Sequence, residues 1–155
     1  MCVLMTTYQI ANWHETFETA DSRRHKSLTW VSLPNDLQSN GYQTLIEQQP
    51  DHAAELYGAW CALIAVASKC PTRGVLAASN GSAYTVQRLA TLTYLPVETM
   101  QRLIDWATTQ SVGWLEVCDS PDCQTPDTRD QTTVNQPTNS DDCKPVELPY
   151  LTQPN

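Results

Sequence analysis

Between residues 51 and 117 the apolar positions fall into three runs with helical spacing. In the first, Leu56, Tyr57, Trp60, Leu63, Ile64 and Ala67 recur three or four positions apart, the period of one face of an α-helix. Asp51 stands where an N-cap belongs, Glu55 lies in the first turns, Pro71 supplies the stop, and Lys69 suits the negative end. Ala59, Ala62, Ala65 and Val66 make the remaining faces apolar too, which predicts a helix buried at the centre of a small domain. Arg73 to Leu76 reads as a short strand and Ser79 to Ser82 as a loop. Thr85 then caps a helix with Val86, Leu89, Ala90 and Thr93 on one face. Tyr94-Leu95-Pro96 breaks it, and Pro96 suits the first turn of a further helix. In that third helix Val97, Met100, Leu103, Ile104 and Ala107 form the buried stripe, leaving Glu98, Gln101, Arg102 and Asp105 towards water. Val112 to Val117 closes the domain as a strand.

The flanking segments read differently. Residues 1–50 show neither a sustained 3.6-residue nor a clean two-residue period, and are expected to form an extension packed on the domain. Trp30 to Leu33 is a candidate extended piece, Arg23-Arg24-His25-Lys26 is a compact basic cluster, and Met5, followed by a polar run, is a second candidate start. Residues 118–155 combine six prolines with many Asp, Thr, Gln and Asn and few large apolar side chains, the composition of a disordered tail. The expected plan is an extension over 1–50, a domain over 51–117 and a tail over 118–155.

Charge changes its meaning once it is divided along the chain. The 155 residues carry 9 Lys and Arg against 17 Asp and Glu, a net charge of -8, the wrong sign for a protein that coats nucleic acid or anionic lipid. Seven of those acids, against Arg129 and Lys144 alone, belong to residues 118–155, so the tail holds most of the excess. From Trp60 to Val117 the balance is slightly positive. Acidity therefore does not exclude local phosphate contact. No apolar run approaches the roughly 20 residues of a membrane span, and the opening residues are too short for a signal-peptide core, so the expected setting is cytoplasmic.

Chemistry-bearing motifs are sparse. Cys2, Cys61, Cys70, Cys118, Cys123 and Cys143 include no C-x-x-C pair. Cys61 and Cys70, if on one helix, stand about 13 Å apart along its axis, too far for a disulfide. Reduced thiols and no metal are expected. His14, His25 and His52 make no H-E-x-x-H arrangement, no phosphate-cradling glycine motif occurs among five glycines, and a spatial pair of Cys70 with His14 or His52 is the enzymatic alternative. Neither catalysis, a cofactor nor a small-molecule substrate is expected. Trp60, Trp106 and Trp114 fall in segments that should pack together, while Trp13 and Trp30 are open between core and base stacking.

Helix, short strand, helix, tight turn, helix, strand is the order of a winged helix, a variant of the helix-turn-helix. The expected fold class is mainly α with a small β wing. Leu89-Ala90, Leu95, Met100, Leu103-Ile104 and Gly113-Trp114-Leu115 resemble the winged-helix pattern, with departures at Tyr94, where glycine is common, and Pro96, where a capping Ser is common. A more specific resemblance covers about residues 12–117. "NWHETFETADSRRHKSLTWVSLPN", "GAWCALIAVASKCPTRGVL" and "LPVETMQRLIDWATTQSVGWLEV" together look like the N-terminal domain of phage and prophage replication-initiation or replisome-organiser proteins. That resemblance implies contact with double-stranded DNA at a replication origin, or with replication proteins there. On this reading Gln101 and Arg102, with Thr99 nearby, would face base edges, and Arg88, Lys69, Arg73, Arg23, Arg24 and Lys26 would neutralise phosphates. Glu98 and Asp105 on the same helix oppose it, and a protein-binding adaptor without DNA contact is the alternative.

Overall fold

The structure is a computed structural model that describes residues 6–118. Cys2, Cys123, Cys143, the second candidate start at Met5 and nearly all of the expected tail lie outside the described residues. Within them the protein is mainly helical, with five α-helices and one two-stranded antiparallel sheet. In chain order these are β1 (Thr7–Ile10), α1 (Trp13–Thr16), α2 (Asn40–Gln48), α3 (Ala53–Ala67), α4 (Val86–Thr93), α5 (Val97–Ala107) and β2 (Leu115–Cys118), with a short 3-10 turn at Ser22–Arg24.

Helix α3 is the central element. Leu56, Ala59, Trp60, Leu63, Ile64 and Ala67 are all buried, and both α4 and α5 pack on it. Its first residue is Ala53, capped by the backbone of His52 without a side-chain bond. Asp51 therefore sits one residue ahead of the cap it was expected to form. Helix α4 begins as its sequence predicts, with the Thr85 hydroxyl accepting the Arg88 amide at 3.2 Å. It ends at Tyr94, whose φ of 58° is left-handed, a conformation glycine adopts far more readily than tyrosine. Helix α5 follows directly after Pro96, and its stripe of Met100, Leu103, Ile104 and Ala107 is buried, joined by Thr99 and Trp106.

Residues 6–50 share this core. Ile10, Trp13, Phe17 and Leu45 belong to the same buried cluster as α3, α4 and α5. Strand β1 pairs antiparallel with β2, Tyr8 facing Val117 and Gln9 facing Glu116. Its other edge takes the Leu76 amide on the Tyr8 carbonyl at 2.9 Å and gives the Ile10 amide to the Gly74 carbonyl at 2.8 Å. The expected strand at 73–76 is thus reduced to a single bridge, Gln9 to Val75. Gly74 is required there: its φ is +86°, and an added Cβ would lie 2.6 Å from the Trp13 ring. The closing strand also starts later than expected, at Leu115, because the Trp114 amide turns back to the Ala107 carbonyl at 3.1 Å. Trp114 packs tilted against Trp60 at 4.8 Å and meets Trp106 edge-on at 5.0 Å, so these three indoles do pack together. Trp13 is core; Trp30 is 67% exposed.

Candidate nucleic-acid interface

Helix α5 owes its position to the turn before it. Leu95 is half-buried against the core and its amide bonds the Ala90 carbonyl at 3.0 Å, while the Met100 amide reaches Pro96 at 3.1 Å. Three residues thus fix the angle between α4 and α5, and one side of α5 is left to solvent. Exposed on that side are Glu98, Gln101 and Asp105, with Arg102 half-buried at its edge. The Gln101 amide donates to Asp105 at 2.7 Å, an i,i+4 pair that must open before Gln101 meets another partner.

Thr99 is not on this surface. It is 4% exposed and its hydroxyl donates to Glu55 of α3, so the expectation that it lies near a base edge is corrected: it ties α5 to α3. Arg102 leans the same way, its Nη1 3.3 Å from Nδ1 of His52, which in turn lies 3.0 Å from Glu55. Hydrogen bonds from Thr99 and His52, helped by the nearby charges of His52 and Arg102, hold the Glu55 carboxyl below the usual carboxylate range.

The expected phosphate contacts divide into two kinds. Arg88, Lys69, Arg23, Arg24 and Lys26 are exposed, and Arg23 also donates to the His14 carbonyl at 2.7 Å. Arg73 is different. Its side chain is 14% exposed and its guanidinium meets Glu18, itself only 2% exposed, at 2.9 Å. It also donates to the carbonyls of Ser22 and His25. Assigning Arg73 to phosphate is therefore corrected: all of this donor capacity serves a buried carboxylate and the backbone of 22–25. Burial would raise the Glu18 carboxyl, but hydrogen bonds from Arg73 and His14 outweigh it and hold the group low. The Trp13 indole N–H, buried without a hydrogen bond of good geometry, adds to this as a nearby dipole.

Arg73 does have a consequence for the surface, since it pins the segment that displays Arg23, Arg24 and Lys26. No local sequence signal joins position 73 to position 18; the Glu18–Arg73 pair spans 55 residues. His52 and Glu55, by contrast, stand three apart at a helix start, a spacing that brings side chains together, and could have been found. Among the described residues no group of three or more His, Cys, Asp or Glu gathers as metal ligands would, and no helix is long and apolar enough to cross a membrane. A cleft of about 240 Å³ opens on another side, lined by Phe17, Leu33, Tyr42, Tyr57, Trp60 and Trp114. Comparison of the chain with protein-family profiles, curated proteins and solved structures finds no match.

Proposed function

We propose that the chain is a non-catalytic winged-helix protein of the phage replication-initiation or replisome-organiser kind, which contacts duplex DNA through α5 in a cytoplasmic setting. The observation that carries this reading is the packing of α4 and α5 across α3 through the turn at Tyr94–Pro96, with Arg102 and Gln101 at the solvent side of α5. In a helix-turn-helix that side of the second helix enters the major groove. The bridge at Val75, β1 and β2 supports the same reading. They stand side by side in that order, with the N-terminal β1 in the place a returning wing strand would occupy.

Binding on this reading is weak and mostly electrostatic. Glu98 and Asp105 flank Arg102, so the exposed charge of α5 does not attract phosphates by itself; Arg88, Lys69, Arg23, Arg24 and Lys26 carry that part. The test is anisotropy of a labelled duplex titrated with the full chain at low and high salt. Binding at low salt that weakens steeply with salt, and weakens about tenfold or more when Arg102→Ala is combined with Arg88→Ala, is expected. No binding at low salt, or no effect of the double change, moves the second reading ahead.

That second reading is an adaptor that binds replication proteins without touching DNA. The exposed apolar side chains Trp30, Leu33 and Leu37, near the aromatic cleft in sequence or on its rim, favour it.

A further inference from the structure

Nδ1 of His52 lies 3.0 Å from a Glu55 carboxylate oxygen and 3.3 Å from Nη1 of Arg102. A guanidinium can only donate and a carboxylate can only accept. The one ring nitrogen must therefore be bare to serve Arg102 and must carry a proton to serve Glu55, and it cannot do both. A neutral ring with Nδ1 bare holds Arg102; a protonated ring turns to Glu55 and repels the guanidinium. The neutral Nδ1–H tautomer can also face Glu55, but it lacks the charge that expels Arg102. Thr99 sharpens the choice by occupying the other Glu55 oxygen, which leaves the first fixed towards His52.

We infer that binding of DNA by α5 draws a proton onto His52, so that the histidine acts as a proton-linked latch on Arg102. The inference rests on the DNA reading above. The groups facing His52 are Glu55 from α3 and Arg102 from α5. Glu98 and Asp105 of α5, with Gln48 and Gln49 of α2, line the same shallow surface as Arg102, and Asp51 precedes His52 in the loop. The carboxylates favour the charged ring; Arg102 and the positive end of α3, at whose N-cap His52 stands, oppose it. When Arg102 leaves for a phosphate or base edge, the opposing cation goes and phosphate charge arrives. Both changes favour the imidazolium. Linkage makes the effect reciprocal, so a proton on His52 strengthens DNA binding by the same factor that DNA strengthens proton uptake. Glu55 keeps the Thr99 hydroxyl as a donor in either state of His52, and that bond holds its carboxyl low.

The test is anisotropy of a short labelled duplex with the full chain at fixed ionic strength, from about pH 5.5 to about pH 8.5, where an imidazole changes charge. Affinity should fall as pH rises, by up to about tenfold per unit for a single proton. The profile should flatten in His52→Gln and in His52→Asn, and should persist in His14→Gln and His25→Gln, which remove the other two histidines. Arg102→Ala should flatten it too, because the latch has then nothing to release. Binding whose pH profile survives both His52 changes overturns the latch and leaves the DNA reading standing. Absence of binding by the unaltered chain across the whole range overturns the DNA reading and the latch with it.

Discussion

Replacing Arg73 by Met tests whether the Arg73–Glu18 pair holds the N-terminal segment to the domain. The change keeps most of the side chain's apolar length and deletes the guanidinium. Glu18, 2% exposed, would lose its 2.9 Å partner and keep His14 at 2.7 Å and Arg23 at 3.8 Å. Removing one member of a buried ion pair costs about 3–5 kcal/mol, because the other charge is left uncompensated. His14 and Arg23 are both more than half exposed and offset part of that, so the lower end, about 3 kcal/mol, is expected at neutral pH. The carbonyls of Ser22 and His25 also lose their donor, which keeps the figure from falling much further. For a domain of this size the loss corresponds to a melting temperature lower by about 10 °C.

The pH dependence separates this cause from simple loss of packing. Glu18 is held below its free value in the folded protein, so its contribution is present above the free carboxylate pKa and fades as pH falls through the folded one. In Arg73→Met one of the groups holding the carboxyl low is gone, so the carboxyl rises and the variant loses less stability than the parent as pH falls. The deficit should therefore shrink towards about 1 kcal/mol near pH 3. Glu18→Gln combined with Arg73→Met should recover about half of the loss, since no charge is then left buried. Urea denaturation of the three proteins at two pH values measures all of this. A deficit below about 1 kcal/mol at neutral pH, or one unchanged in acid, would refute the reasoning.

Three further outcomes are expected, two from single positions and one from the acids beyond residue 118. Tyr94→Gly should raise stability by about 1 kcal/mol in thermal or urea denaturation, because Tyr94 is 95% exposed with φ 58° and its ring has little packing to lose; a loss would mean that the ring makes a contact of its own. Gly74→Ala should lower stability by about 2 kcal/mol or more, since strain at φ +86° adds to collision with the Trp13 ring, and the summed tryptophan fluorescence should shift with it. Changing Asp119, Asp122, Asp127, Asp130, Asp141, Asp142 and Glu147 to their amides in the full chain should tighten duplex binding at low salt and have little effect at high salt; anisotropy at both salts would show otherwise if the acids do not oppose DNA.

What could be read from the sequence was whatever is periodic or local. The stripes of α3 and α5, the Thr85 cap and the break at Tyr94 each follow from neighbours within a turn, and each is where the pattern puts it. Residues 6–50 gave no such signal because their apolar contribution comes one side chain at a time: Ile10 from a four-residue strand, Trp13 and Phe17 around a single helical turn, Leu45 from α2. Periodicity needs several turns to be visible. The register of β1 against β2 was hidden for a related reason, since it joins positions more than a hundred residues apart and no turn between them sets it.

The candidate site divides along the same line, and the division bears on how α5 works. Exposure of Gln101, Glu98 and Asp105 follows from helical period alone, whereas the burial of Thr99 and the restraint on Arg102 come from α3, which the period of α5 cannot report. A cation on an exposed helix face is ordinarily free to meet any anion. Here the face carries Glu98 and an Asp105 bonded to Gln101, and its one cation rests on a histidine. Such a face is self-compensated, and on the proposed DNA reading its affinity for phosphate would depend on what frees Arg102. That dependence is why a titration over salt alone would understate the surface, and why pH is the variable that should reveal it.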